Sequence, residues 1–378
     1  MKKKNILMIA FTMIVIGYTI PSTIIQNYTK SVQPIVVQKI LIAQNIKNVT
    51  ILNVGNKDAK VLSLQKKLFN IGYTVSVNGV FSLDTQNVIK QFQKKYNLSQ
   101  SGIYDTDTEN ILNKTKNIRD YDVIQKTKQR QASTIALLNR IKSYLGSGVT
   151  RVGFIYYDLS TGDKISINPN KVCIAASTYK VGMNMVAYDT VRAGKIKLTD
   201  GLKYNSAYYE SGTGILQGQL KTTLKHPVAL QKLLDYSIIY SDNIATNMIS
   251  SRLGGARIVR QKVATMTGIT GVNTIKNVLT PEIETRLLKK LYIGRNDKYY
   301  SRLISDMKRT KFHDRIDKYV PRNLVAHKIG NLGSYTNDVG IVFTDKPYLI
   351  VMYVDGLSHS AEKIATVSNM VYQNQLKR

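Results

Sequence analysis

The spacing of apolar residues changes several times along this chain, and each change marks a different element. At the start, an uncharged stretch from Ile6 to Ile20 follows Lys2, Lys3 and Lys4 and leads into Pro21-Ser22-Thr23. That layout is an export signal. The uncharged run continues to Ile25, about the length that crosses a bilayer, so residues 1–25 read as a signal peptide or a membrane anchor. With the lysines held inside, everything downstream would face outward. Residues 26–50 are polar and mixed, a spacer.

From Gly55 the period becomes helical. Val61, Leu62, Leu64, Gln65 and Leu68 share helix spacing until Ile71-Gly72-Tyr73, and Asn78-Gly79-Val80-Phe81 reads as a turn. A second amphipathic helix follows Thr85 with Val88, Ile89 and Phe92 on one side. Gly102-Ile103-Tyr104 repeats the turn, and Thr108 opens a third helix through Ile111 and Leu112. Residues 55–114 thus predict a small three-helix unit, large enough to fold alone though marginally. Residues 115–132, rich in Lys, Gln, Asp and Arg, read as a linker.

A helix from about Ser133 to Leu145 then leads to a strand, Val152 to Asp158. The turn Ser160-Thr161-Gly162-Asp163 leads into a second strand, Lys164 to Ile167. The chain reads as mainly helical from Ser177 to about Lys308. Two apolar strands, Asp338 to Phe343 and Tyr348 to Val354, flank Asp345-Lys346-Pro347 and precede a helix from about Ser360. Strands at both ends with helices between them predict one α+β domain over residues 133–378, its terminal segments joined in a single sheet.

Charge and composition narrow the partners. The 54 Lys+Arg against 24 Asp+Glu give a formal charge of +30, which attracts polyanions over long range. No zinc-finger spacing, aromatic RNA-binding motif or single dense basic face accompanies it, so no nucleic acid is expected. An anionic wall polymer or a membrane surface fits. Cys173 is the only cysteine, which excludes an internal disulfide. His226, His313, His327 and His359 are scattered without ligand spacing, so neither a metal site nor a cofactor is expected, and the chain reads as a monomer.

The candidate chemistry begins with Ser177 and Lys180, which would share one face of a first helical turn and give a weak nucleophile a base. The same spacing occurs at Ser63/Lys66, Ser305/Lys308 and Ser360/Lys363, so the pair alone decides nothing. Two later elements single it out. Ser241-Asp242-Asn243 follows an apolar helix, and Lys328-Ile329-Gly330 precedes the strand Asp338 to Phe343. Ser-x-x-Lys, Ser-Asp-Asn and Lys-x-Gly in that order resemble the signature of class A β-lactamases and penicillin-binding proteins. Gly212-Thr213-Gly214-Ile215-Leu216 and Asn337-Asp338-Val339-Gly340 look like that family too. The resemblance spans about 133–378 and implies a β-lactamase/transpeptidase-like fold.

In that likeness Ser177 forms an acyl-enzyme and Lys180 takes its proton, its pKa lowered by neighbouring cations. Ser241 relays a proton to the leaving nitrogen, Asn243 holds the substrate amide, and Lys328 faces a substrate carboxylate. The N–H groups of Ser177 and Asn331 form the oxyanion hole, and Gly330 belongs to the substrate-binding strand. Residues 55–114, through Val61, Leu64, Gln65, Leu68, Gly72, Tyr73, Gly79, Phe81, Thr85, Phe92, Gln93, Gly102 and Thr108, resemble a peptidoglycan-binding domain. Asn78 and Ser101 replace the usual aspartates ahead of the turn glycines.

Two departures shape the functional expectation. Nothing acidic occurs between Asp242 and Glu282, where class A enzymes carry the loop glutamate that activates the deacylating water. Glu282 and Glu284 read as the first turn of the next helix. Losing a positioned general base costs about 10²- to 10⁴-fold, so deacylation is expected to be slow unless Glu282 substitutes. Ile329 also removes the hydroxyl usual in the Lys-Thr-Gly motif. The expectation is an exported, wall-targeted serine hydrolase acylated by β-lactams or D-Ala-D-Ala peptides. A penicillin-binding DD-carboxypeptidase, transpeptidase or β-lactam sensor, and a non-catalytic peptidoglycan-binding protein, are the alternatives.

Overall fold

The computed structural model describes residues 51–378; the expected signal or anchor and the spacer lie outside the described residues. Among the described residues no helix is long and apolar enough to cross a membrane. The described residues divide into two compact units, with the boundary between Lys126 and Thr127.

In the first unit, α1 (Ala59–Asn70), α2 (Leu83–Lys95) and α3 (Thr106–Lys114) enclose one core of Val61, Leu64, Leu68, Phe81, Ile89, Phe92 and Leu112. Each helix starts where a short polar side chain accepts from its first turn: Asp58, Ser82 and Asp105. Gly79 and Gly102 occupy positive φ, as their turns require. Two buried glutamines tie each helix to the turn after it. Gln65 Oε1 accepts from Asn78 N and Gly79 N while its Nε2 donates to Val80 O and Thr85 Oγ1. Gln93 repeats the pattern on Gly102 N, Ile103 O and Thr108 Oγ1.

Helix α4 runs over Tyr121–Leu145, beginning twelve residues before the expected Ser133. Its early turns carry few apolar residues, so periodicity does not reveal them, but Gln, Lys and Arg are good helix formers.

The second unit is built on a five-stranded antiparallel sheet. Its strands are β1 (Val152–Asp158), β2 (Lys164–Ile167), β7 (Val325–Leu332), β8 (Tyr335–Val342) and β9 (Tyr348–Asp355), in the order β2-β1-β9-β8-β7. The early and late segments of this unit meet where β1 pairs β9, Phe154 opposite Met352. The unbroken apolar run of β9 is explained by burial on both faces. Ile350, Met352 and Val354 pack with α4 and the C-terminal helix α11 (Ser360–Leu376), whereas Leu349, Val351 and Tyr353 face the helical layer. That layer contains α5 (Tyr179–Arg192), α6 (Leu230–Ile239), α7 (Asn243–Arg252), α8 (Ala256–Thr267), α9 (Pro281–Ile293) and α10 (Lys298–Lys308). Two short pairs, β3 (Cys173–Ile174) with β6 (Val278–Leu279) and β4 (Gly201–Leu202) with β5 (Val228–Ala229), tie its loops together. The architecture is the expected α+β layering.

Candidate active site

Ser177 sits in a single 3₁₀ turn, Ala176–Thr178, that feeds directly into α5. The turn is held from four sides. Asn277 accepts from Ala175 N through its carbonyl and donates from Nδ2 to Ala176 O, and Asn337 Nδ2 donates to Ile174 O. Thr178 Oγ1 donates to Ala175 O and lies 3.1 Å from the hydroxyl of Tyr353. Strand β7 presses on it at Gly330, where a Cβ would meet Ala175 O at 2.8 Å and Ser177 N at 3.1 Å. A larger residue at position 330 would push the strand off the turn. Ala176 and Ser241, on opposite sides of the site, both hold positive φ, +50° and +54°. Such conformations in non-glycine residues persist only where the surroundings impose them.

The sequence-predicted residues converge. Lys180 Nζ donates to Ser241 O at 2.7 Å, to Asn243 Oδ1 at 2.8 Å and to Ser241 Oγ at 3.3 Å; Ser177 Oγ is not among its acceptors. Lys328 Nζ, entering from β7, donates to Ser241 Oγ at 2.9 Å and to Ile329 O. Asp242 supplies the frame. Its Oδ1 caps α7 through Ala245 N, and its Oδ2 accepts from Ile215 N and Leu216 N. Gly214 is required beneath that carboxylate, because a Cβ there would lie 2.4 Å from Asp242 Oδ2. Asn243 then reaches Ser211 O with Nδ2, fixing the rim of the site.

Both lysines are almost fully buried. Burial lowers the pKa of Lys180 to about 7, against the opposing pull of Asp242 and Glu210. Burial, then repulsion from Lys180, holds Lys328 well below its ordinary value. The fall was expected from neighbouring cations alone; removal from water leads it.

A cavity of about 310 Å³ opens in front of Ser177, lined by Thr213, Ser241, Ile329, Asn331 and the segment Lys311–Arg315. Sequence reasoning missed that segment, which belongs to no helix, strand or motif. Arg315 is its main contribution: Nη1 donates to Asn337 O and Nη2 to Asn331 Oδ1, so its buried guanidinium is aimed beside the end of β7. Asp314 is the sole carboxylate of the lining. Glu282 lies outside it, bridged to Lys164 and Arg286 and held below its ordinary pKa by them in spite of burial. Glu284 is wholly buried behind the Ala176–Thr178 turn, where its Oε2 accepts from Tyr353. Burial pushes its carboxyl up to about 8.

Beside the cavity, His327 faces Asp338 through Nδ1 at 2.9 Å and Asp317 through Nε2 at 3.4 Å, a charge contact rather than a hydrogen bond. Burial works against a charged His327, but the two carboxylates outweigh it and lift its pKa to about 9.

Known proteins are similar to this chain in sequence and fold. The extended-spectrum β-lactamase PER-1 of Pseudomonas aeruginosa is 23% identical over 280 residues, covering 66% of this chain and 91% of that protein. The solved structure of PBP-A superposes with a TM-score of 0.58 at 25% identity, covering 64% of this chain and 97% of its own. A mutant of PBP-A, in an acyl-enzyme complex with penicillin G, gives the same TM-score at 26% identity, with 65% and 97% covered. A model described as a putative peptidoglycan binding domain matches residues 57–112, the three-helix unit. The catalytic unit is matched along nearly its whole length, residues 136–375, by the model of the Beta-lactamase enzyme family, and the chain belongs to that family.

Proposed function

We propose that the chain is a wall-directed serine hydrolase outside the cytoplasmic membrane, acylated at Ser177 by β-lactams or D-Ala-D-Ala peptides and slow to deacylate. The observation that carries this reading is the buried Lys180–Ser241–Lys328 array beside the Ser177 cavity. Near neutral pH Lys180 is poised to be uncharged and to accept a proton. Ser177 Oγ attacks the β-lactam carbonyl carbon, and its proton passes to Lys180 Nζ. The oxygen of the tetrahedral adduct would be held by the N–H groups of Ser177 and Asn331. Collapse of the adduct breaks the C–N bond, and the leaving nitrogen collects a proton through Ser241, which both lysines contact. Lys328 and Arg315 supply positive charge for the substrate carboxylate, and Asn243 positions its amide.

Deacylation needs water activated on the far side of the ester. The ten residues 268–277 between α8 and β6 contain no acid, Glu282 is engaged by two cations, and Glu284 has its Tyr353 partner behind the turn. The likeness to PBP-A, a mutant of which is solved as an acyl-enzyme complex with penicillin G, supports acylation by a β-lactam. The three-helix unit favours peptidoglycan stems as the natural substrate, because it would hold the enzyme on the polymer. The intact array weighs against a purely binding role.

Intact mass followed over time after mixing with penicillin G tests this. One adduct should form, be absent from Ser177→Ala and persist through many minutes. Rapid return to the free mass with continued turnover would instead mark an efficient β-lactamase, and no adduct at all would remove the acyl-serine mechanism.

A further inference from the structure

His313, Asp317 and His327 offer donor atoms that all lie within 4.8 Å of one another. His327 Nε2 and Asp317 Oδ2 are 3.4 Å apart, and His313 Nδ1 lies against the same carboxylate oxygen. Ligands at about 2.0–2.1 Å around one tetrahedral ion are about 3.3 Å apart, so the trio is already close to the span of a shared ion. Two buried atoms of the cluster lack any hydrogen-bond partner: His327 Nε2, on a residue 1% exposed, and Asp317 Oδ1, on one 2% exposed.

The fourth group explains the orientation. Asp338 already accepts from Ile316 N and Val339 N, and it faces His327 Nδ1 with both oxygens at 2.9–3.0 Å. A carboxylate so anchored fixes the tautomer with hydrogen on Nδ1. In the neutral imidazole the Nε2 lone pair points toward Asp317, so an ion bound there would displace the Nε2 proton that the two carboxylates otherwise favour. A carboxylate behind a ligating imidazole is the usual support of a protein-bound transition metal. Asp317 and Asp338 together carry the two negative charges that balance a dication. His313 is half-buried and also lines the Ser177 cavity, which provides both an entry path and an open coordination position.

We propose that His313, Asp317 and His327 form a binding site for a borderline transition-metal dication of the zinc class, in the wall of the active-site cavity. Two imidazoles and one carboxylate suit zinc, cobalt or nickel better than magnesium or calcium, which prefer oxygen alone. The ion would sit next to the residue that precedes Lys328, adding positive charge to the wall that faces an anionic substrate. The competing arrangement is a His327 imidazolium held between Asp317 and Asp338 with no metal.

Cobalt(II) titrated into the metal-stripped full-length protein near neutral pH tests the site through its visible ligand-field absorption. The expected result is saturation at one ion per chain, displacement by zinc, and affinity weakened about tenfold or more in both His313→Ala and Asp317→Asn. His313 is partly exposed, so His313→Ala should retain the metal-free melting curve and isolate binding from folding. Absence of bound cobalt in the wild type would leave the imidazolium arrangement and overturn the proposal. Stoichiometric binding unchanged by His313→Ala in a protein with that melting curve would also overturn it, since the ion would then sit elsewhere.

Discussion

The ammonium groups of Lys180 and Lys328 converge on a single oxygen, Ser241 Oγ, at 3.3 and 2.9 Å. Two cations sharing one hydroxyl in a water-poor site cannot both be charged cheaply, so the pair gives up a proton far more readily than either lysine would in water. In the proposed mechanism, acylation at Ser177 requires the neutral form of Lys180. The second-order rate of penicillin acylation should therefore rise with pH through about 7 and then level, the midpoint being set chiefly by the burial of Lys180. Lys180→Ala should lose about 10²- to 10⁴-fold. Stopped-flow acylation across the pH range checks this; a flat profile would remove Lys180 as the base.

Arg315 lines the same cavity as Ile329, whose side chain offers no donor. Its guanidinium is steadied by Asn337 O and Asn331 Oδ1 and lines the cavity. Losing a hydrogen bond to a charged group costs about 1.5–3 kcal/mol, which converts to about 10- to 100-fold. Arg315→Ala should lower the acylation rate constant for carboxylate-bearing β-lactams by that factor. Ile329→Thr, which restores a hydroxyl on the same wall, should recover part of the loss when combined with it. If the double variant acylates no faster than Arg315→Ala, the hydroxyl and the guanidinium do not serve the same substrate group.

Glu284 makes folding stability depend on pH. In the unfolded chain its carboxyl ionises near 4.5, whereas in the folded protein burial holds the proton to about 8. The folded state therefore binds more protons between those values. The stabilising contribution is full below about 4.5 and is lost as pH rises to about 8. Glu284→Gln keeps an acceptor for the Tyr353 hydroxyl without the ionisation. Relative to wild type it should gain stability at pH above 8, by a few kcal/mol at most, and show little gain near pH 4.5. Thermal melts of both proteins across the pH range check it. A constant difference would mean that Glu284 is already ionised in the fold.

Much of this site could be read from the chain because its chemistry rides on ordered local motifs. Ser177, Lys180, Ser241, Asn243 and Lys328 each sit at an element's start or within a strand, and the structure assembles them around one hydroxyl and one cavity. Strands β1 and β2 matched their expected bounds because their apolar runs end at turn residues. What escaped is what only the tertiary fold creates. Lys311–Arg315 has no period, yet it forms a whole wall of the cavity. His313 and His327 lack any ligand spacing and meet only because the loop after α10 folds back along β7. The cause of the lysine pKa shift was hidden for the same reason, since burial is invisible in a local pattern.

In the N-terminal unit, Gln65 and Gln93 decide whether the three-helix fold closes. Both are wholly buried, and each satisfies backbone groups of the turn that follows its helix while meeting a threonine of the next helix. Truncation would leave the N–H of Gly79 or Gly102 and the facing carbonyl without these partners, at a cost of about 1–3 kcal/mol for each unsatisfied group. A module of about sixty residues has little stability to spare. Gln65→Ala or Gln93→Ala should therefore lower or abolish the melting transition of this unit in calorimetry of the full chain. Penicillin labelling at Ser177 should continue at the wild-type rate, while retention on insoluble peptidoglycan should fall. Unchanged retention with the transition lost would assign wall binding to the catalytic unit instead.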